Sequence, residues 1–310
     1  MGKRALVSGG AGFIGSHLCD CLVEQGWAVR VLDNFSTGSR DNLSGSVEAV
    51  EGDITDPAAC ATACVGVDTV FHLAARVTIR QSVETFHEDA ETNLMGTLNL
   101  LRASGASGVR RFIATSSMAV YADSPDGKLV DENHPLGPLS PYGISKLAAE
   151  QYVHLMAPQL GMEPVVLRLF NTYGSRQGYT PYVGALTIFV THILQGKPCT
   201  IFGDGEQCRD FGHVLDVARA FVLAADSKDA VGETFNIGTG MGTTVNRLAE
   251  LIRNELGEGE FNYAKPHPAE LRHSVPDISK AKSLLGHAPA NKLEDRLGDV
   301  IESIRKSLDS

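Results

Sequence analysis

Arg4-Ala-Leu-Val-Ser8 passes straight into Gly9-Gly-Ala-Gly-Phe-Ile-Gly15, and residues 17–25 then show helical spacing, with Leu18, Cys21 and Leu22 on one face. An apolar run, a glycine-rich turn and an amphipathic helix in this order open a βαβ unit. Gly9, Gly12 and Gly15 let the backbone turn tightly and approach a pyrophosphate without a Cβ in the way. The helix that follows offers free N–H groups and a partial positive charge. Ala28-Val-Arg-Val-Leu32 reads as the second strand and ends on Asp33, 18 residues beyond Gly15. A carboxylate at that place accepts the hydroxyls of an adenosine ribose and repels a 2′-phosphate. The stretch therefore implies dinucleotide binding, with NAD preferred over NADP. No arginine follows at once to reverse that preference; Arg40 is a distant candidate.

The alternation continues outward from this unit. Strands are expected at 47–51, 69–73, 111–115 and 164–169, and helices at 57–64, 84–104 and 145–160. Strands that alternate with helices form parallel, right-handed βαβ units covered on both faces. The fold class is α/β: a doubly wound parallel Rossmann sheet with a smaller C-terminal lobe. After Asn171 the rhythm breaks, and helices are expected at 186–196, 243–256 and, interrupted by Pro289, at 279–308. We divide the chain into a dinucleotide-binding domain (1–170, with a return at about 212–240) and a second lobe (171–211 and 241–310), with a cleft between them.

The bulk properties exclude several classes. The 310 residues carry 27 Lys and Arg against 37 Asp and Glu, a net charge of −10, and 43% are hydrophobic. That apolar share supports a large core and excludes global disorder. The acidic balance disfavours nucleic-acid binding. No apolar run is long enough for a membrane span, and a strand beginning at Ala5 leaves no room for a signal peptide. Cys19, Cys21, Cys60, Cys64, Cys199 and Cys208 make no CxxC pair and show no zinc spacing. They read as free thiols in a reducing cytoplasm, with no metal site.

Catalytic chemistry is suggested by Tyr142 and Lys146, which form YxxxK at the start of a helix. Residues four apart share a helix face. A neighbouring ammonium favours phenolate, which would draw the Tyr142 phenol toward working pH and make it a general base for a hydroxyl. Ser116-Ser117 closes the fifth strand, and ligands of open α/β sheets gather at the carboxyl ends of strands. Ser117 is placed to hydrogen-bond the same hydroxyl.

Taken together, these stretches resemble the extended short-chain dehydrogenase/reductases, specifically the NAD-dependent nucleotide-sugar epimerases and dehydratases. The matching segments are Ser8-Gly-Gly-Ala-Gly-Phe-Ile-Gly-Ser-His17, Leu32-Asp-Asn34, Gly52-Asp-Ile54, Phe71-His-Leu-Ala-Ala75, Thr115-Ser-Ser117, Tyr142-Gly-Ile-Ser-Lys146, Leu167-Arg-Leu-Phe-Asn171 and Gly203-Asp-Gly205 through Asp216. The resemblance covers nearly the whole chain and is greatest to the family's UDP-glucose 4-epimerases. It implies an NAD site built from Gly9, Gly12, Phe13, Ile14, Gly15, Asp33, Asn34, Asp53, Ile54, Leu73, Ala74, Ala75, Asn93, Tyr142 and Lys146. Within it Asp53 and Ile54 hold the adenine, and Asn93 and Lys146 position the nicotinamide. It implies catalysis by Ser117, Tyr142 and Lys146. It also implies that Ser117, Asn171, Arg209 and Arg272 bind a UDP-sugar. A homodimer built on the helices of Asn93 and Tyr142 is implied too; Leu94, Leu98, Leu101, Leu147 and Val153 are candidates for that face or for packing on the sheet.

The reaction follows from a departure. Resembling dehydratases carry an acidic pair directly after the residue matching Ser117, and related decarboxylases keep a Glu at the second of those positions. Here the two residues are Met118 and Ala119, and neither side chain transfers a proton. The sequence therefore fits 4-epimerisation of a uridine-linked hexose through a 4-keto sugar. A dehydratase, a decarboxylase and a UDP-glucuronate 4-epimerase stand as alternatives. Ser274 aligns with a position whose size gates N-acetyl sugars in the resembling group. Arg80 or Arg176 is a candidate partner for a sugar carboxylate. His267-Pro-Ala-Glu270 stands where the family often has Arg-x-Gly-Asp near the diphosphate, a place Arg272 would compensate.

Overall fold

The computed structural model describes residues 2–124, 127–180, 183–266 and 271–309. Seven parallel strands form the main sheet in the order β10-β6-β5-β4-β1-β2-β3. They are β1 (Arg4–Ser8), β2 (Ala28–Asp33), β3 (Glu48–Glu51), β4 (Thr69–His72), β5 (Arg111–Ser117), β6 (Glu163–Leu169) and β10 (Thr234–Ile237). Side chains alternate between the two faces, as the pleat requires. Val7, Phe71, Ile113, Val165 and Phe235 join one buried cluster, which contains Leu18, Leu22 and Phe221. Leu6, Val70, Phe112 and Val166 join another, with Cys60, Leu100 and Val153.

The first face is covered by α1 (Phe13–Glu24) and α8 (Val214–Asp226), the second by α2 (Pro57–Cys64), α5 (Gly96–Ala106) and α6 (Pro141–Gln159). α2 has Pro57 at its N-terminus, and the Asp56 carboxylate accepts from Ala58 N, which supplies one of the bonds a helix start lacks. Strand order reverses between β1 and β4, and a doubly wound sheet opens its ligand crevice at such a point.

The expected 84–104 helix is instead assembled from pieces. α3 (Ile79–Glu84) and α4 (Phe86–Ala90) are separated by Thr85, whose φ of −122° and ψ of 48° leave the helical region. A π-turn follows at Glu91–Met95 and carries Asn93 before α5 begins. A Cβ on Gly96 would come within 2.6 Å of Ile54 Cδ1, so this position needs glycine for α5 to close on the sheet. α1 and α6 also start earlier than the periodicity indicated, at Phe13 and Pro141.

The remaining elements make the smaller lobe. β9 (Cys208–His213) is its spine, paired with β7 (Asn171–Tyr173), β11 (Gly242–Thr244) and β13 (His273–Ser274). β8 (Cys199–Phe202) pairs with β12 (Phe261–Ala264). α7 (Ala185–Leu194), α9 (Val245–Leu256) and α11 (Leu293–Asp309) enclose a core of Phe189, Leu248, Ile252, Leu297 and Ile301. The tail does not stay wholly in this lobe. α10 (Ser279–Leu285) sends Ala281 and Leu285 into the cluster around α1, α8 and β10.

The structure divides the candidate dimer residues. Leu101 and Val153 are buried in the sheet-facing core and are unavailable to a partner. Ile144, Tyr152 and Leu155 of α6 are exposed, as is Met95 at the end of the π-turn before α5. All six cysteines are unpaired. No helix among the described residues is long and apolar enough to cross a membrane.

Candidate active site

The glycine turn divides by role. Gly9 has φ of +72°, and a Cβ on it would lie 2.7 Å from Ala74 N; one on Gly15 would lie 2.1 Å from Gly9 O. These two glycines are demanded by the chain's own packing of turn, helix and β4 exit. Gly12 is different: its nearest neighbour would be Gly9 O at 3.3 Å. It caps α1 without a side-chain hydrogen bond, and the first turn of α1, which holds Phe13, Ile14 and Gly15, has no acidic residue. Its leading N–H groups and positive dipole end therefore fit an anion.

Asp33 is buried, with Oδ2 accepting from Ala11 N at 2.9 Å and Oδ1 from Phe35 N at 2.8 Å. Each carboxylate oxygen keeps a further lone pair for a ribose hydroxyl. Asn34 Nδ2 donates to Asp53 Oδ2 at 2.6 Å. Burial pushes the Asp53 carboxyl up, but bonds from the Thr55 amide and hydroxyl and from Asn34 outweigh it and hold it below the usual range. The side chain of Ile54 is in the core under Gly96, so a ligand reaches only its backbone. Leu73, Ala74 and Ala75 leave β4 beside the glycine turn, with Leu73 N donating to Ser8 O at 3.0 Å. The residues present fit a dinucleotide lying across the ends of β1, β2 and β4.

Asn93 does not present a free amide. Its Oδ1 accepts from Arg76 N at 2.8 Å, and its Nδ2 donates to Arg76 O at 2.9 Å and to Asp89 Oδ1 at 3.0 Å. It clamps the backbone at Arg76 instead.

The proposed catalytic residues come together where α6 meets the end of β5. Ser140 caps α6 by accepting from Gly143 N at 3.1 Å. A Cβ on Gly143 would lie 2.3 Å from Ala119 O, so only glycine lets α6 close on the 118–120 turn. That approach sets Tyr142 beside Ser117, whose hydroxyl favours the phenolate form. Tyr142, Lys146 and Ser117 are all buried. Burial pushes the Tyr142 phenol up to about 12, with Ser117 pulling down and the Asp89 charge pushing up. In that balance the downward pull comes from Ser117, and burial outweighs it. Lys146 itself is brought down to about 8 by burial, against the opposing charges of Asp89 and Glu150.

On the opposite side of the cleft, Asn171 on β7 has a buried Oδ1 with no hydrogen-bond partner among the described residues. Such an atom is costly unless something else bonds it. Arg209 lies on β9 in register with Ser274 of β13 and Thr243 of β11. Ser274 is buried, and its hydroxyl faces Met118 Sδ at 3.4 Å.

Arg272 is otherwise engaged, forking onto both oxygens of exposed Asp204 at 2.7 and 3.0 Å; it would have to leave Asp204 to reach a diphosphate. Arg176 is tied to Asp20 of α1 at 2.8 Å. Arg80 stacks on Phe202, 5.5 Å from the ring centroid. His267-Pro-Ala-Glu270 lies outside the described residues.

Sequence reasoning missed the groups behind the catalytic helix. Ser82 Oγ accepts from Tyr142 N at 3.2 Å, and Asp89 Oδ2 accepts from Ser145 Oγ at 2.7 Å. Ser145 was visible inside YxxxK; nothing in the spacing named its partner.

Comparison with known proteins identifies the family. Residues 5–238 match the model of the NAD dependent epimerase/dehydratase family. A putative UDP-glucose 4-epimerase of Methanocaldococcus jannaschii is 40% identical over 305 residues, 97% of this chain and 98% of that one. The UDP-glucose 4-epimerase of Thermotoga maritima, solved with UDP-glucose, superposes with a TM-score of 0.93 at 40% identity, covering 98% and 99% of the two chains. The UDP-glucuronic acid 4-epimerase of Bacillus cereus, solved with UDP-glucuronic acid and NAD, gives a TM-score of 0.91 at 32% identity over 98% and 99%. The chain therefore belongs to the NAD-dependent epimerase/dehydratase family.

Proposed function

We propose that the protein is an NAD-dependent 4-epimerase of UDP-hexoses. Ser117, Tyr142 and Lys146 make the common oxidation at C4 feasible, and the observation that selects the reaction is the 118–120 turn against which they pack. That turn presents Met118 and Ala119 beside the catalytic hydroxyls. Eliminating water from C5 and C6 needs an added acid and base, and this wall has neither. An epimerase needs only the first pair of groups, used twice.

In this reading Tyr142 accepts the proton of the sugar's C4 hydroxyl while Ser117 hydrogen-bonds the same oxygen. Lys146 holds positive charge behind the phenol and so offsets the cost of forming phenolate in a buried site. NAD, held by the turn at Gly9–Gly15 with Asp33, Asn34, Asp53 and Ala74–Ala75, supplies the hydride acceptor when bound. Asn171 and Arg209 bind the UDP moiety, and Arg272 joins them on leaving Asp204. Ser274 takes the position whose size gates N-acetyl sugars, and its small side chain favours their admission. The dinucleotide domain comprises 1–170 and 212–240, and the rest carries the sugar nucleotide. Exposed Met95, Ile144 and Leu155 support a homodimer through α5 and α6; six unpaired cysteines support a cytoplasmic location.

The test is incubation with UDP-glucose, UDP-N-acetylglucosamine and UDP-glucuronate, followed by proton NMR and mass spectrometry. The expected product is the 4-epimer at unchanged mass. A product lighter by water or carbon dioxide overturns the reading.

A further inference from the structure

Asp89 is a carboxylate at the end of α4, 1% exposed. Its side-chain bonds among the described residues come from neutral donors: Ser145 Oγ at 2.7 Å and Asn93 Nδ2 at 3.0 Å. A buried carboxylate with neutral donors alone is expensive to keep. The residues at the two ends of these bonds explain its presence. Ser145 immediately precedes Lys146 on α6, and Asn93 clamps the backbone of Arg76, two residues past the Ala74 that packs on Gly9. Asp89 thus lies between the catalytic helix and the turn proposed to run along the cofactor. Its negative charge acts on both Lys146 and Tyr142.

We propose that Asp89 is a positioning residue for the oxidation at C4: its carboxylate clamps Ser145 to Asn93 and so holds a buried negative charge beside the helix turn that carries Lys146. The inference rests on the epimerase reading for its kinetic consequence but not for the effect of that charge on Lys146.

The groups facing Lys146 are few. Asp89 acts on it from α4 and Glu150 from its own helix, and the Lys146 charge acts on His72 of β4. His72 is neutral, because burial and the Lys146 charge drive its pKa to about 3. Glu150 is already forked by Arg168. Asp89 is therefore the anion whose charge no arginine shares. Removing it should release the Lys146 proton at lower pH.

Two variants separate the clamp from the charge. Asp89→Asn keeps the shape and removes the charge. Ser145→Ala keeps the charge and removes the clamp. In the holoenzyme with UDP-galactose, Asp89→Asn should move the alkaline limb of kcat down by about one pH unit, the usual effect of one nearby charge, with KM unchanged. Ser145→Ala should lower kcat across the whole range with the limb in place, and Asp89→Glu should restore the limb.

The Lys146 midpoint is also read directly, by [ε-13C]lysine NMR of the holoprotein, with the signal identified by its absence in Lys146→Arg. A lower midpoint in Asp89→Asn supports the proposal; an unchanged midpoint overturns it, whether or not any UDP-hexose turns over. Wild-type protein that epimerises no UDP-hexose defeats the proposed function alone. Should Asp89→Asn not fold, Asp89→Ser takes its place in the same measurement: a lower midpoint supports the proposal and an unchanged one overturns it.

Discussion

Ser274 and Met118 meet across the cleft, hydroxyl to thioether at 3.4 Å, although 156 residues separate them in the chain. One belongs to the small lobe, in register with Arg209. The other begins the turn after Ser117, where resembling lyases carry an acid. Two independent arguments about the reaction and the sugar therefore concern one wall of one site. Enlarging Ser274 should narrow the site on that side. Ser274→Tyr should cut kcat/KM for UDP-N-acetylglucosamine by at least tenfold relative to UDP-glucose, the scale of one displaced acetyl group (about 1–3 kcal/mol). Equal losses on both sugars would show that Ser274 lies away from the 2-position.

Tyr142 is the group whose loss should separate chemistry from binding. Tyr142→Phe keeps the ring that packs against Ser117 and removes the hydroxyl alone. Turnover should fall by roughly 10²–10⁴-fold, the usual worth of a positioned acid–base group, with bound NAD per protomer unchanged. Turnover within a few-fold of wild type would remove Tyr142 from the base role.

Much of this was legible in the chain. Six of the seven strands and the Gly9–Gly15 turn were readable, because strands buried on both faces are written as apolar stretches; the seventh, β10, was not among them. YxxxK picked out the proposed catalytic pair, because four residues make about one helix turn. What stayed hidden depends on contacts remote in sequence. The break at Thr85 and the π-turn at Asn93 follow from how the 79–95 segment must reach Ser82 to Tyr142 and Asp89 to Ser145. No periodicity encodes that. Leu94, Leu98, Leu101, Leu147 and Val153 looked equivalent by spacing, yet Leu101 and Val153 are buried in the core under the sheet while Leu94, Leu98 and Leu147 are half-buried.

Asn171 carries an unsatisfied oxygen, and that separates ligand binding from folding. A buried polar atom bonded within the protein costs stability when removed; one left open does not. Asn171→Ala should therefore leave the apo protein's urea midpoint unchanged or slightly higher. KM for UDP-glucose should rise by about tenfold, equivalent to one hydrogen bond of about 1.4 kcal/mol. A large loss of stability with an unchanged KM would make Asn171 a structural residue.

Acid should destabilise the fold before it reaches the carboxylates. Burial lowers the pKa of His17, His72, His154, His213, His273 and His287, with His72 at about 3 and His213 at about 4. His72 is held neutral between Ser8 Oγ at 2.7 Å and Thr97 Oγ1 at 2.8 Å. The unfolded histidine takes its proton near 6.5, the folded one only near 3. Stability from this group is complete above 6.5 and is lost as pH falls from there toward 3. Between pH 7 and pH 5 His72 alone accounts for about 2 kcal/mol. Urea unfolding at both pH values should show that loss, and His72→Gln should show less of it. An equal pH dependence in His72→Gln would mean that the histidine already carries its proton in the fold.

Arg168 and Glu150 form an ion pair whose side chains are 5% and 6% exposed, with Arg168 Nε 3.0 Å from Glu150 Oε2. Arg168 also donates to Tyr121 Oη at 2.7 Å, and that hydroxyl donates to Asn236 Oδ1 at 2.7 Å, linking α6 and β6 to the edge strand β10. Removing one partner leaves a buried charge, which costs roughly 3–5 kcal/mol; replacing both by apolar groups avoids that penalty. Arg168→Met should therefore unfold at markedly lower urea than the double variant Arg168→Met with Glu150→Leu. The double variant should also keep α6 in place, because Ser82 and Asp89 still hold its first turns, and so retain most of kcat. If the double variant were as unstable as the single one, the pair would stabilise the fold through its hydrogen bonds to Tyr121 rather than through mutual compensation of charge.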